Sequence, residues 1–144
     1  PELFSESEDI INLVRHNKTS GPKTSSDQNK EDFEVLSQFI EQEKPYLKND
    51  LKMQDLVEST GITYKRISEV FNKNFNKTFY EVMNEYRLEE AKVLINKGFH
   101  RDYTISHLAE KAGFNSKTTF NRIFKKYTDQ TPSDYIQNLE ESSI

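Results

Sequence analysis

The chain contains one pattern twice, and this internal repeat constrains its fold more than any other feature. A stretch around residue 58 recurs 52 positions later, and a stretch around residue 75 recurs 53 positions later. The matched pairs are Leu56 with Leu108, Glu58 with Glu110, Gly61 with Gly113, Phe71 with Phe124, Lys73 with Lys126, and Thr78 with Thr131. Self-similarity at a fixed spacing indicates one structural unit that is formed more than once. We therefore expect two similar units.

Each copy predicts a short helix, a turn and a second helix of about twelve residues, from apolar residues that recur every three to four positions. Gly61 and Gly113 lie at the turns, where a Cβ would obstruct the backbone. Thr63 and Ser116 stand where a hydroxyl can cap the second helix. A helix, a glycine-containing turn and a second helix are typical of the helix-turn-helix.

The second helix of each copy is followed by a residue that tolerates a left-handed backbone. Asn76 and Asp129 occupy matching places two residues before the matched threonines. Asn and Asp adopt positive φ more readily than other non-glycine residues. We therefore predict the same tight turn at both positions.

The rest of the chain also predicts helices, and no alternating strand pattern of useful length occurs. Residues 31–44 have helical period and end at Pro45. Thr78 can cap a long helix that Gly98 ends, and Pro132 can open a last helix through about Leu139. The predicted fold is all-α, with two homeodomain-like helix-turn-helix subdomains joined by a long linker helix. The predicted boundaries are 1–30 for a flexible linker from an upstream domain, 31–77 for the first subdomain, 78–97 for the linker helix and 98–144 for the second subdomain.

Composition excludes several classes of function. The 144 residues include no cysteine and only four glycines, which excludes disulfides, thiolate metal sites and a glycine-rich phosphate loop. No apolar run approaches the ~20 residues that a membrane-spanning helix needs. The three histidines lack metal-ligand spacing, and adjacent acidic pairs such as Glu89 with Glu90 point to different helix sides. We expect no enzyme activity, no metal and no cofactor.

Charge is distributed unevenly along the chain. The net charge of −4 combines −5 over residues 1–51 with +3 over residues 52–139 and two further glutamates. An acidic leader therefore precedes a mildly basic region, which is compatible with nucleic acid as a partner. A helix over residues 78–97 would be about 30 Å long, close to the ~34 Å between successive major-groove faces of B-DNA.

The second copy resembles the signature half of the AraC/XylS-type transcriptional regulators. From Ile105 to Ile136 it reads ISHLAEKAGFNSKTTFNRIFKKYTDQTPSDYI. The residues that carry the resemblance are Ala109, Gly113, Phe114, Phe120, Phe124, Lys125, Lys126, Thr131, Pro132 and Tyr135. Residues Tyr86, Arg87, Ala91 and Leu94 are similar to the family's linker helix, and the resemblance covers about residues 47–139.

The resemblance implies sequence-specific binding of double-stranded DNA in the major groove, by two recognition helices, for regulation of transcription. The implied partners are double-stranded DNA, RNA polymerase and an upstream sensor or dimerisation domain, without a small-molecule ligand in residues 1–144. Because the chain begins with Pro, we expect a piece of a longer protein. We expect this piece to lie in the cytoplasm, which is compatible with a membrane anchor elsewhere in the full-length protein. Two departures are that Asn76 and Asp129 replace the family's usual glycines, and that Glu69 lies where a DNA-facing residue is expected.

Residues opposite the buried stripe of each recognition helix are the candidates for base contacts, because the N-terminal half of this helix enters the groove. They are Tyr64, Lys65, Ser68 and Glu69 in the first copy and Lys117, Thr118, Asn121 and Arg122 in the second. The candidates for phosphate contacts are Thr63, Lys73, Arg87, Ser116, Lys125 and Lys126. Arg87 has the alternative of pairing with Glu89 or Glu90 within its helix.

Two alternatives remain open on the sequence. The acidic balance and Glu69 are compatible with a helical protein-interaction module that has lost DNA binding. The second alternative is a fragment that binds DNA weakly by itself and depends on an upstream dimerising part of the protein.

Overall fold

The computed structural model of the chain describes residues 24–142. This part of the chain forms eight α-helices, one 3-10 turn and no β-strand, which confirms the all-α prediction. The helices are α1 Ser25–Glu43, α2 Met53–Thr60, α3 Tyr64–Phe75, α4 Phe79–Asn96, α5 Phe99–Asp102, α6 Ile105–Lys111, α7 Lys117–Thr128 and α8 Pro132–Ser142, with the 3-10 turn at Pro45–Leu47. None of these helices is both long and apolar enough to pass through a membrane.

Helix α1 begins earlier than the sequence predicted. The predicted linker 1–30 is wrong for residues 25–30, which are helical, and its residues 1–23 lie outside the described residues. The cause is a capping box, in which Asp27 N donates to Thr24 Oγ1 (3.2 Å) and Thr24 N donates to Asp27 Oδ2 (3.4 Å). These first residues are polar, so no apolar period reveals them in the sequence.

The predicted ends of the two recognition helices are confirmed, whereas α8 continues to Ser142, beyond its predicted end at about Leu139. Thr63 Oγ1 accepts a hydrogen bond from Arg66 N (3.3 Å), and Ser116 Oγ accepts one from Thr119 N (3.1 Å). Asn76 has φ 53° and Asp129 has φ 60°, so both recognition helices end in the left-handed residue that the repeat predicted. The local chemistry of each helix-turn-helix is therefore the same in both copies.

The contacts of the chain divide it into two compact units. The first unit contains the described residues up to Pro45 together with Leu51–Val82, and in it α1 and α2 pack against α3. Its buried apolar residues are Phe33, Leu36, Ile40, Leu51, Met53, Leu56, Ile62, Ile67, Val70, Phe71, Phe79 and Val82. The first turn of α4, up to Val82, also belongs to this unit, although residues 78–97 were predicted as a separate linker helix.

The second unit contains Tyr46–Asp50 and the described residues from Met83 onward. Its core is formed by Leu88, Ala91, Ile95, Leu108, Ala109, Ala112, Phe114, Phe120, Ile123 and Phe124. The aromatic ring of Tyr135 in α8 packs edge-on against Phe124, with ring centroids 5.2 Å apart. Helix α8 therefore closes one side of this core.

Residues 46–50 were predicted in the first subdomain, and their contacts assign them to the second unit instead. Asn49 Nδ2 donates to the carbonyls of Glu110 (3.0 Å) and Phe114 (2.9 Å), on either side of the turn between α6 and α7. The Tyr46 ring stacks on Tyr86 with centroids 5.0 Å apart. Sequence order alone does not predict this assignment, because the two partners of Asn49 lie more than sixty residues away.

We expect substitution by alanine to lower stability by different amounts at the two turn glycines. Both have positive φ, 75° at Gly61 and 99° at Gly113, but a Cβ at Gly61 meets open space, whereas one at Gly113 collides with the Tyr46 carbonyl oxygen. We expect Gly61→Ala to lower the free energy of unfolding by about 1 kcal/mol, and Gly113→Ala by about 3 kcal/mol or more. Urea unfolding followed by circular dichroism measures both; equal losses would contradict the close approach at Gly113.

Candidate nucleic-acid interface

The first recognition helix is α3, the second helix of its helix-turn-helix. Ile67, Val70 and Phe71 are fully buried, so this stripe fixes which face of α3 remains outside. Tyr64 (61% exposed) and Lys65 lie on the exposed surface of the first turn, and Ser68 and Glu69 are partly exposed one turn later. The four predicted base-contact residues are therefore accessible on the N-terminal half of α3.

The second recognition helix, α7, has the same arrangement. Phe120, Ile123 and Phe124 are buried, while the side of α7 that carries the predicted base-contact residues remains accessible. Those residues are Lys117, Thr118 and Arg122, which are exposed, and Asn121, which is partly exposed.

Each recognition helix borders a shallow groove, and the two grooves are built from equivalent positions. The first is lined by Lys52, Met53, Gln54, Tyr64, Ser68, Asn72, Asn76, Lys77, Thr78, Phe79, Tyr80 and Glu81. The second is lined by Ile105, Lys117, Asn121, Arg122, Lys125, Lys126, Asp129, Thr131, Pro132 and Ser133. An offset of 53 relates Tyr64, Ser68 and Asn72 to Lys117, Asn121 and Lys125. The repeat therefore reproduces a concave surface as well as a fold.

The charges of the two recognition helices differ. Helix α7 carries four cations, Lys117, Arg122, Lys125 and Lys126, and no acidic residue. Helix α3 carries three cations and Glu69, and one of those cations, Arg66, is paired with Asp32 of α1. The hydrogen bonds to the Asp32 carboxylate raise the pKa of the Arg66 guanidinium above its usual value, against a smaller opposing effect of desolvation. The exposed surface of α7 is therefore much more basic than that of α3.

Most predicted phosphate contacts lie on accessible surface. Lys73, Lys125 and Lys126 are exposed, and the Lys126 ammonium lies 5.3 Å from the centre of the Tyr127 ring. Thr63 and Ser116 are exposed as well, although each hydroxyl already caps its own recognition helix. The Thr63 hydroxyl accepts from the backbone and keeps its proton, which it can donate to a phosphate oxygen. The Ser116 hydroxyl donates its proton to Thr119 Oγ1 (3.0 Å).

The prediction of a phosphate contact for Arg87 is wrong. Its side chain is buried, with the residue 6% exposed, and Nε donates to the Tyr46 carbonyl (2.7 Å). Nη2 donates to the Lys48 carbonyl (3.2 Å) and Nη1 to Asn84 Oδ1 (3.0 Å). A guanidinium supplies several fixed donors, which suits it to bind neighbouring carbonyls of a short backbone segment. Arg87 thus holds residues 46–48 within the second unit.

Sequence reasoning missed some of the groove residues and the partner of Arg66. Groove residues outside the recognition helices, such as Lys52, Tyr80 and Ser133, were not proposed, although the offset of 53 would have paired Tyr80 with Ser133. Asp32 was missed because an acidic residue 34 positions from its arginine partner leaves no local signal.

The histidines within residues 24–142 do not belong to a cluster of metal ligands. His100 Nε2 lies 3.1 Å from Glu140 Oε1, and no group of three or more His, Asp or Glu side chains in this part of the chain is placed to hold a metal ion.

The fold and these exposed, capped second helices define a helix-turn-helix DNA-binding domain rather than an enzyme. A family model described as a helix-turn-helix domain matches residues 56–138. The chain belongs to this family, which is of the AraC/XylS type.

Relatives in Staphylococcus aureus are similar to this chain over most of its length. An uncharacterised HTH-type transcriptional regulator of strain COL is 29% identical over 133 residues, which are 92% of this chain and 17% of the relative. The transcriptional regulatory protein HptR is 27% identical over 73% of this chain and 40% of its own length. The chain thus spans about a sixth of the length of the first of these curated relatives.

Solved structures show the same architecture. The C-terminal domain of the two-component response regulator yesN from Fusobacterium nucleatum is 28% identical, with a TM-score of 0.59 over 72% of this chain and 95% of that one. The C-terminal domain of AraT, a response regulator from Geobacillus stearothermophilus, shares the fold at 21% identity, with a TM-score of 0.61 over 74% of this chain and 84% of that one.

Glutamine substitutions distinguish a buried arginine from a phosphate ligand. We expect Arg87→Gln to lower the free energy of unfolding by about 2 kcal/mol, because two carbonyls lose charged donors. It leaves the salt dependence of DNA binding unchanged. We expect Lys125→Gln to keep stability within about 0.5 kcal/mol and to reduce the slope of log K against log salt concentration by about 0.9. A reduced slope for Arg87→Gln, measured by fluorescence anisotropy, would contradict the structural role.

Proposed function

We propose that this chain binds double-stranded DNA sequence-specifically, by inserting α3 and α7 into the major groove, and that it regulates transcription through this binding. The observation that carries the proposal is the equivalence of the two exposed surfaces. Each recognition helix presents hydrogen-bonding side chains on its N-terminal half, beside a groove built from the same positions of the repeat.

The side chains on the two helices have complementary chemistry for base edges. Arg122 and Lys117 are suited to guanine O6 and N7, Asn121 to adenine, and Glu69 to the amino group of cytosine. Lys65, Ser68, Tyr64 and Thr118 complete the proposed base contacts. A surface that presents both hydrogen-bond donors and acceptors can discriminate between base pairs, because each base pair shows its own pattern of donors and acceptors in the major groove.

Phosphate contacts are proposed for exposed groups that flank these residues. They are Thr63, Lys73, Ser116, Lys125 and Lys126, together with backbone N–H groups at the starts of the recognition helices. Because α7 and its last turn are the more basic, we propose that the second unit supplies most of the salt-dependent affinity.

The partners of the whole protein are part of the same proposal. We propose RNA polymerase as a partner in transcription and an upstream sensor or dimerisation domain as the source of the signal. The relatives support this, since one is named a transcriptional regulatory protein and the yesN domain is part of a two-component response regulator. These relatives are bacterial proteins, and bacteria hold their chromosome in the cytoplasm. Because the proposed function acts on chromosomal DNA, we propose that this chain acts there.

Selection from a random duplex library, followed by band shift, tests the sequence preference. In the preferred duplex we expect Lys117→Ala and Arg122→Ala each to lose ~1–3 kcal/mol of discrimination at one or two base pairs. Lys97→Ala is the matched control, because Lys97 is exposed but lies outside the residues that line either groove. Its expected effect is a small loss of affinity that is equal for all sequences.

Binding without sequence preference, at both low and physiological salt, would contradict the proposal. A protein-interaction module predicts that Lys117→Ala and Arg122→Ala behave as Lys97→Ala does. A third possibility is that the isolated chain binds DNA weakly and depends on a dimerising partner. Fusion to a dimeric coiled coil tests it, since a large gain in affinity on tethering would show this dependence.

Glu69 gives a prediction that concerns the identity of one base. A carboxylate accepts from the cytosine amino group, whereas glutamine pairs in bidentate fashion with adenine. We expect Glu69→Gln to change the preferred base at one position from cytosine towards adenine, measured by repeating the library selection. An unchanged preference would show that Glu69 does not face a base.

A further inference from the structure

The N-terminal helix α1 makes a polar contact with the first recognition helix that the family match does not include. Asp32 is only 3% exposed, and both of its carboxylate oxygens accept from Arg66 of α3. Arg66 Nε lies 2.8 Å from Oδ2 and Nη2 lies 2.6 Å from Oδ1. The match to the family begins at residue 56, after the end of α1.

This contact is bidentate and further supported, so its geometry is well defined. Two parallel N–H···O bonds fix the orientation of both planes, unlike a single point contact. Gln28 Nε2 donates to the same carboxylate (3.0 Å), and therefore holds it from the side of α1. Asp32 has its oxygens engaged by donors from two helices.

Two further contacts between α1 and α3 lie near the C-terminal end of α3. Asn74 Nδ2 donates to Asn29 Oδ1 (3.1 Å), and the rings of Phe33 and Phe75 lie 5.8 Å apart. The ion pair, by contrast, holds the first turn of α3, where the adjacent residue Lys65 is a proposed base contact. Helix α3 is therefore held by α1 at both ends, and Asp32 acts at the end that faces DNA in the proposed function.

A small rotation of α3 would be enough to break its hydrogen bonds to the bases. Side chains reach about 5–6 Å from a helix axis, so a rotation of about 20° moves their ends by roughly 2 Å. Hydrogen bonds to base edges require donor–acceptor distances of about 2.7–3.2 Å. Apolar packing along Ile67 and Val70 decides which face of α3 is buried. A bidentate ion pair adds a directional contact, which fixes the rotation of the helix more finely than non-directional apolar contacts do.

We propose that Asp32 is a positioning residue for the first recognition helix: by holding Arg66, it sets the rotation of α3 and so aims Lys65 and Glu69 at their bases. The proposal rests on the proposed DNA binding. In this pair the Arg66 guanidinium donates to the Asp32 carboxylate and not to DNA. The device belongs to the first unit, since the equivalent of Arg66 in α7 is Thr119, whose hydroxyl accepts from Ser116 Oγ (3.0 Å).

The test measures base discrimination position by position in the duplex selected by the wild-type chain. Lys65→Ala and Glu69→Gln identify the base pairs that α3 determines, and Arg122→Ala identifies base pairs that α7 determines. We expect Asp32→Asn to lose about tenfold discrimination at the α3 base pairs. Discrimination at the α7 base pairs stays the same within about a factor of two.

Two further variants separate positioning from charge and from stability. Glu43→Gln removes one exposed carboxylate from the last turn of the same helix, and we expect it to leave every discrimination ratio unchanged. Arg66→Lys retains the charge but replaces the bidentate contact by a single point, so we expect a smaller loss at the same α3 base pairs. It also provides the measurement if Asp32→Asn does not fold, as judged by circular dichroism.

The outcomes are distinct. Loss confined to the α3 base pairs supports the positioning role. A uniform rise in affinity, as expected when a repulsive carboxylate is removed, or an equal loss at all base pairs, would overturn it. A wild-type chain without any sequence preference refutes the proposed function itself, and it does so before any Asp32 variant is compared.

Discussion

Each recognition helix is oriented by the burial of one apolar stripe, and the exposed chemistry of the protein depends on that packing. In α3 the stripe is Ile67, Val70 and Phe71, and in α7 it is Phe120, Ile123 and Phe124. Burying three such side chains contributes about 5–9 kcal/mol, whereas a cap contributes about 1 kcal/mol. Because a helix has 3.6 residues per turn, burying one face determines which residues remain outside. The caps then decide where each helix starts.

The two units use this shared arrangement with different electrostatics. Helix α7 exposes a basic surface without an acidic residue, while α3 combines Glu69 with an arginine that is engaged by Asp32. Affinity for the phosphate backbone of DNA depends on cationic side chains, and discrimination between bases depends on directional hydrogen bonds. The repeat has therefore kept one packing solution and allowed the exposed residues of its two copies to diverge.

Features with a local cause were predictable from the sequence. The left-handed backbone at Asn76 and Asp129 follows from which residues tolerate positive φ, and the caps at Thr63 and Ser116 follow from hydroxyls placed before an apolar period. The exposed faces of α3 and α7 follow from the same periodicity. In all these cases the determining partners lie within about four residues along the chain, so the pattern is visible without a structure.

The repeated sequence by itself determined an all-α fold with two similar helix-turn-helix units and most of the residues on their accessible faces. Only the tertiary structure decided the role of Arg87, the place of residues 46–50 in the second unit, and the pairing of Asp32 with Arg66. These three features depend on partners that lie 34 or more residues apart, for example 41 residues between Arg87 and Tyr46. A charged side chain looks the same in a sequence whether it faces solvent or a distant carbonyl, because its environment is created by the packing of the chain.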